Sequence, residues 1–135
     1  MYSHILVPVQ FGSERNTEKA LSVAKLMAGR DGKITLLHVI EQIPSYVMSY
    51  VPPEFTAERL KTVQAELSEM AAPLLHGNSV VVVGHSGRSI EEWATANGTD
   101  CIIMASHIPV VSDYLLGSTA AHIVRHAKCS VHVIR

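Results

Sequence analysis

Cysteine is scarce in this chain: Cys101 and Cys129 are the two found in 135 residues. Two thiols without CxxC or zinc-ligand spacing exclude a disulfide framework and a cysteine-built zinc site. Both read as reduced, buried and inert. Charge of one sign is also lacking. Eleven Lys and Arg against twelve Asp and Glu leave a formal net charge of -1, so no whole-protein basic field exists to hold nucleic acid or an anionic membrane surface. Long apolar runs are missing as well. Stretches such as Val80 to Val83 fall far short of the ~20 residues of a membrane-spanning helix, so no membrane insertion is expected. At the amino end, Met1-Tyr2-Ser3-His4 carries no basic region, and the apolar stretch Ile5 to Val9 is short and holds Pro8, which argues against a secretory signal. A cytoplasmic location is the expectation. Neither an internal repeat nor a linker nor a low-complexity tract interrupts the sequence, which reads as one domain over 1–135.

What is present is a globular composition, 47% hydrophobic and 17% charged. Short β-branched runs alternate with segments of helical period, the pattern of a parallel α/β sheet. Strands are predicted at His4–Val9, Lys33–Ile40, Val80–Val83, Cys101–Met104 and Val131–Ile134. They are mostly apolar on both faces, as a sheet covered by helices on each side requires. A doubly wound, five-stranded parallel sheet with about four helices follows.

The first helix is capped by Ser13, presents Ala20, Leu21, Ala24, Met27 and Ala28 to the core, and ends near Gly29. A second follows Thr56 with a stripe of Leu60, Val63, Leu67, Met70, Ala71 and Leu74, its last turn disturbed by Pro73. Ser89-Ile90-Glu91-Glu92 has the form of a capping box and opens a third helix, which stops near Asn97-Gly98. The fourth begins near Gly117-Ser118 and carries Ala120, Ile123, Val124 and Ala127 inward, with Arg125, His126 and Lys128 at its negative end. The connection from Glu41 to Phe55 holds Pro44, Pro52 and Pro53 and cannot be a continuous helix. It is either a lid or a loop that crosses the sheet.

In an open doubly wound sheet a ligand sits beyond the carboxyl ends of the strands, where strand order reverses. With the first strand central, that point lies between strands one and four. It brings together Val9-Gln10-Phe11-Gly12 and Ala105-Ser106-His107-Ile108-Pro109. Leu116-Gly117-Ser118-Thr119 then opens the last helix, whose free N–H groups and serine hydroxyl suit a phosphate. Capping alone would also account for Gly-Ser at that position.

The segments Met1 to Val9, Leu37-His38-Val39-Ile40, Asp100 to His107, Tyr114-Leu115-Leu116-Gly117-Ser118 and His126 to Val131 resemble universal stress proteins. The resemblance spans nearly the whole chain and is most specific in the carboxyl third. It implies a sheet of order 3-2-1-4-5 with an adenine-nucleotide alpha-hydrolase-like fold, usually a homodimer, with ATP at the switch point in one large branch. By the same resemblance Pro8 and Val39 pack around adenine, Met104 and Ala105 lie beside the ribose, and Gly117, Ser118 and Thr119 meet the phosphates. Val9, Ser106 and His107 complete the site. Gln10 replaces the family's usual adenine-recognising Asp; its carbonyl accepts and its amide also donates. Ala105 and Ile108 stand where the ATP-binding pattern has glycines, and eight residues separate Ile108 from Gly117 where that pattern has nine. The loop is instead similar to an Ala-Ser-His-x-Pro variant that ends in Tyr-Leu-Leu-Gly-Ser.

The function that follows is a stress-response module that binds ATP, with Mg²⁺ as its companion ion. The alternative is a dimeric interaction module that has lost nucleotide binding. Dimerisation is expected through the last strand, an exposed sheet edge. Asp113 is either an oxygen ligand for Mg²⁺ or a solvated carboxylate. Without a positioned general base or a phosphate-binding lysine, no activity beyond slow ATP hydrolysis or self-modification is expected. Two further motifs compete. Val83 to Ser89 matches neither a P-loop nor a nucleophile elbow and reads as a turn at the sheet edge, away from the switch point. His122 and His126 lie four apart on a helix but lack a third zinc ligand.

Overall fold

The computed structural model describes residues 1–11, 14–42, 44–48, 50, 53–106 and 116–135. Its elements run β1 (His4–Pro8), α1 (Glu14–Ala28), β2 (Lys33–Glu41), α2 (Ser45–Met48), α3 (Pro53–Ala71), β3 (Gly77–Gly84), α4 (Ser86–Ala96), β4 (Cys101–Ala105), α5 (Ser118–His126) and β5 (Ser130–Ile134). The strands form one sheet of order β3-β2-β1-β4-β5, and every neighbouring pair is parallel. The order matches the expectation.

Alternation along the strands sorts their side chains into two cores. Ile5, Val7, Val9, Ile34, Leu36, Cys101 and Ile103 pack against Ala20, Ala24 and Ala28 of α1 and Leu67 and Ala71 of α3. On the other face Leu6, Leu37, Ile102 and Met104 meet Ile90 and Ala94 of α4 and Ala120 and Ile123 of α5. Small residues on α1, α4 and α5 let the helices approach the sheet closely. The central strands are buried on both sides, which is why they read as continuous apolar runs.

Burying a polar group requires a partner, and His4 has two. Its Nδ1 lies 3.1 Å from the Asn97 carbonyl, which only accepts, so that nitrogen carries the hydrogen. Nε2 then accepts from the Thr35 hydroxyl at 2.8 Å. The Trp93 ring meets the imidazole edge-on. Burial holds His4 below the usual histidine range, partly offset by the Asn97 hydrogen bond. Beside it the Asp100 carboxylate accepts the Ser3 and His4 amides at 2.8 and 3.0 Å. These contacts anchor the amino end of β1 and leave its carboxyl end for the site.

Several expectations are corrected. There are five helices among the described residues, because the Pro-rich connection contains the single turn α2, and α3 starts at Pro53, a residue suited to a first helical position. The end of α3 at Ala71 agrees with the effect expected of Pro73. β3 is twice as long as predicted, since Asn78 and Ser79 pair along β2 despite their polarity. Leu60 is exposed on α3, and so is Val124 on α5; neither belongs to the buried core. Cys101 is buried, but Cys129 is only half-buried.

The third helix begins at Ser86, and Ser89 lies one turn inside it, where its amide donates to the His85 carbonyl. No capping box forms at Ser89. The N-terminus is capped from a distance instead: the Glu41 carboxylate at the end of β2 accepts the Ser86 amide at 3.2 Å and also the Ser86 hydroxyl. The Ser13 cap lies outside the described residues. The glycine ends are as expected, with Gly29 at φ +63° after α1 and Gly98 at φ +68° after α4.

Candidate functional site

β1 lies between β2 and β4, so the strand order reverses between β1 and β4. Above that point opens a cleft of about 1570 Å³. Its floor is the carboxyl ends of β1, β2 and β4, and its walls are the first turns of α1 and α5, one side of α3 and the start of α4. Such concave volume at a switch point is where an α/β sheet places ligands.

The residues that follow β1, Val9 and Phe11, are anchored to β2. One residue beyond the strand, the Val9 amide still donates to the Leu37 carbonyl at 2.8 Å. The Val9 carbonyl accepts from His38 Nδ1–H at 2.7 Å. Phe11, on the far side of Gln10, sets its ring against the same imidazole, with centroids 4.8 Å apart and planes at 64°. Val9 is buried, whereas Gln10 is exposed between its two anchored neighbours.

Opposite, Gly117 is the N-cap of α5 with φ −59° and ψ 157°. Extended backbone there is open to any residue, so what Gly117 contributes is the missing Cβ. The helical ladder starts with the Ala121 amide on the Gly117 carbonyl at 2.8 Å. The Ser118, Thr119 and Ala120 amides therefore have no i−4 acceptor inside the helix and carry the positive end of its dipole. Between the two ends lie the apolar Val39 and Met104 and the small Ala105.

The described lining residues include three glutamates, Glu41, Glu58 and Glu66, and one arginine, Arg59, and no lysine. The Glu41 carboxylate already occupies the α4 terminus. An incoming anion thus meets an internal anion at α4 and open amides at α5. The cleft thus combines apolar side chains from the strand ends with the amide-bearing start of α5.

Of the expected site residues, Pro8, Val9, Gln10, Val39, Met104, Ala105, Gly117, Ser118 and Thr119 all line this cleft. Ser106 does not; its amide and hydroxyl both donate to the Ile134 carbonyl of β5, at 2.8 and 3.3 Å. His107, Ile108 and Asp113 lie outside the described residues. Phe11, expected at the switch point with Gln10, lines the cleft too, and so do Thr17, His38, Glu41, Phe55 and Ser86, which were not foreseen. The signal for His38 and Glu41 was their place at the carboxyl end of β2. Val83 and Ser86 correct the view that the β3–α4 junction lies away from the site.

His122 and His126 sit with ring centroids 4.5 Å apart, and His122 Nε2 pairs with Glu91 at 3.2 Å. Among the described residues no group of three metal-ligating side chains forms. No helix among them is long and apolar enough to cross a membrane.

Comparison with known proteins places this geometry. The Universal stress protein family profile matches residues 1–135. The chain belongs to the universal stress protein family. "Universal stress protein A homolog 2" of Coxiella burnetii is 30% identical over 139 residues, covering 99% of this chain and 95% of that protein. Two solved universal stress proteins share the fold. One, in complex with cAMP, has a TM-score of 0.72 at 16% identity and covers 99% of this chain and 97% of its own. The other, from Archaeoglobus fulgidus in complex with dAMP, has a TM-score of 0.69 at 19% identity, with 99% and 98% covered. The five-stranded sheet is thus the adenine-nucleotide alpha-hydrolase-like fold of universal stress proteins.

Proposed function

We propose that this chain is a single-domain stress-response module that binds an adenine nucleotide in the switch-point cleft. The observation that carries this reading is the opposition of an apolar slot, Val9, Val39 and Met104, to the open amides at the start of α5. The base lies in the slot against Pro8 and Val39, Gln10 meets its polar edge, and the phosphates approach Gly117, Ser118 and Thr119. Related folds in complex with cAMP and dAMP support an adenine ligand. ATP is the ligand expected from the resemblance. Its charge is poorly matched to a cleft whose described lining holds three carboxylates and one guanidinium, so Mg²⁺ is the companion that makes a triphosphate acceptable.

The protein works in the cytoplasm as a homodimer. Among the described residues β5 pairs with β4 alone, so its outer edge has backbone groups to offer a second copy. Light scattering in solution should then return twice the 14.7 kDa chain mass. The acidic lining favours one second reading, a dimeric interaction module whose cleft stays empty. Native purification, denaturation and mass spectrometry of the released small molecules separates the two. Adenine nucleotide in stoichiometric amount supports the first. Nothing released, together with no heat on titration of AMP or ATP, supports the second.

A further inference from the structure

We propose that His38 is a positioning residue that fixes the segment Val9–Phe11 beyond β1 and thereby sets how Gln10 meets the base of the ligand; this rests on the nucleotide reading of the cleft. Gln10 has a long, exposed side chain, so its aim depends on the backbone that carries it. Both neighbours of Gln10 converge on one imidazole. The Val9 carbonyl accepts from Nδ1–H at 2.7 Å, and the Phe11 ring meets the imidazole in a T-shaped contact with centroids 4.8 Å apart. A carbonyl only accepts, so the ring must keep its hydrogen on Nδ1, and the tautomer is set by the segment itself.

The position of His38 explains why a hydrogen-bonding side chain is used. The ladder between β1 and β2 runs to the Val9 amide on the Leu37 carbonyl. Past that rung the strand pairing ends, and the Val9 carbonyl, one residue beyond β1, is held by a side chain from β2. An apolar residue at position 38 would fill the space and leave this carbonyl without that donor. His38 also lines the cleft with Gln10 and Phe11. Its influence should therefore fall on the base end of the ligand, while the α5 amides act at the phosphate end.

The test compares the wild type with His38→Ala, His38→Gln, Gln10→Ala and the double variant His38→Ala/Gln10→Ala, titrated with AMP and GMP by calorimetry. The expected result is that His38→Ala lowers the AMP-over-GMP preference by about fivefold, the order of one lost hydrogen bond. The double variant should lose no more than Gln10→Ala alone, because His38 acts through Gln10. His38→Gln, whose amide reaches a carbonyl as a donor, should restore most of the preference. An unchanged AMP-to-GMP ratio in His38→Ala, even with both affinities reduced, overturns the proposal, as does full additivity in the double variant.

Hydrogen exchange of the Val9 amide in ligand-free protein reads the segment without any nucleotide. Exchange about tenfold faster in His38→Ala and recovered in His38→Gln is the expected result, and unchanged exchange overturns the role in fixing the segment. If the wild type binds neither AMP nor GMP, the nucleotide reading falls and the base-selecting role falls with it. Binding by the wild type with an unaltered ratio in the variant overturns the role of His38 alone.

Discussion

Burial of His4 sets a pH dependence of stability. Its neutral form is held between Asn97 and Thr35, and desolvation lowers its pKa from 6.5. Below pH 6.5 the unfolded chain takes up a proton there that the folded chain refuses, so the proton number is higher in the unfolded state and stability falls as pH falls. Above 6.5 both states are neutral and His4 adds no slope. Urea midpoints from pH 7.5 down to 5 should therefore fall more steeply in the wild type than in His4→Gln; parallel slopes contradict the assignment. Cys101 gives a second prediction. Burial pushes its thiol up to about 11, and burial raises Cys129 as well. Native protein at pH 8 should react slowly with a thiol-specific disulfide reagent, and both thiols should react at once in denaturant. At this scale the sequence reading did well wherever a side chain answers to its own strand. It missed His38, because the partner carbonyl of Val9 lies 29 positions away, and it placed Leu60 and Val124 inward on periodicity although both sit at the margin of their stripes.

α4 shows how an element is fixed by groups that no local pattern contains. Ser89 to Glu92 has the spacing of a capping box, yet the helix starts at Ser86 because a carboxylate 45 positions earlier reaches its first amide. Replacing Glu41 by Gln weakens that cap, and the expected loss is about 0.5–2 kcal/mol in urea unfolding. Packing of α4 on α5 is the tighter constraint. A Cβ on Gly87 would stand 2.8 Å from His122 Cγ and 2.9 Å from His122 Cβ. These are not the far end of a flexible side chain, so Gly87→Ala should force the helices apart and cost about 1–3 kcal/mol. A thermal midpoint equal to that of the wild type would contradict the contact. Helix ends marked by Gly29 and Gly98 were legible because positive φ is a local requirement. The Pro-rich connection was legible only as something other than one helix; proline forbids continuity but does not specify the turn Ser45–Met48.

For the whole molecule, strand order and switch point followed from the alternation of elements and the family resemblance, and nine of the eleven expected site residues meet in one cleft. What the sequence did not reveal is the sign of the cleft's charge, because Glu58, Arg59 and Glu66 come from α3 and are brought to the site by folding alone. That sign carries a prediction. Mg²⁺ should strengthen ATP binding markedly and change AMP binding little, because the triphosphate has the greater charge to neutralise against Glu41, Glu58 and Glu66. Raising the salt concentration should narrow the gap between free ATP and AMP. Equal affinities without Mg²⁺ at low salt would contradict the charge argument. The central claim is that the switch-point cleft is the nucleotide site, and mapping of backbone amide NMR shifts on titration with AMP tests it most directly. The account predicts saturable shifts at Val9, Gln10, Phe11, Val39, Ala105, Gly117, Ser118 and Thr119, with the amino end of β1 unmoved. Saturating shifts confined to any other surface, or none at millimolar AMP, would contradict it.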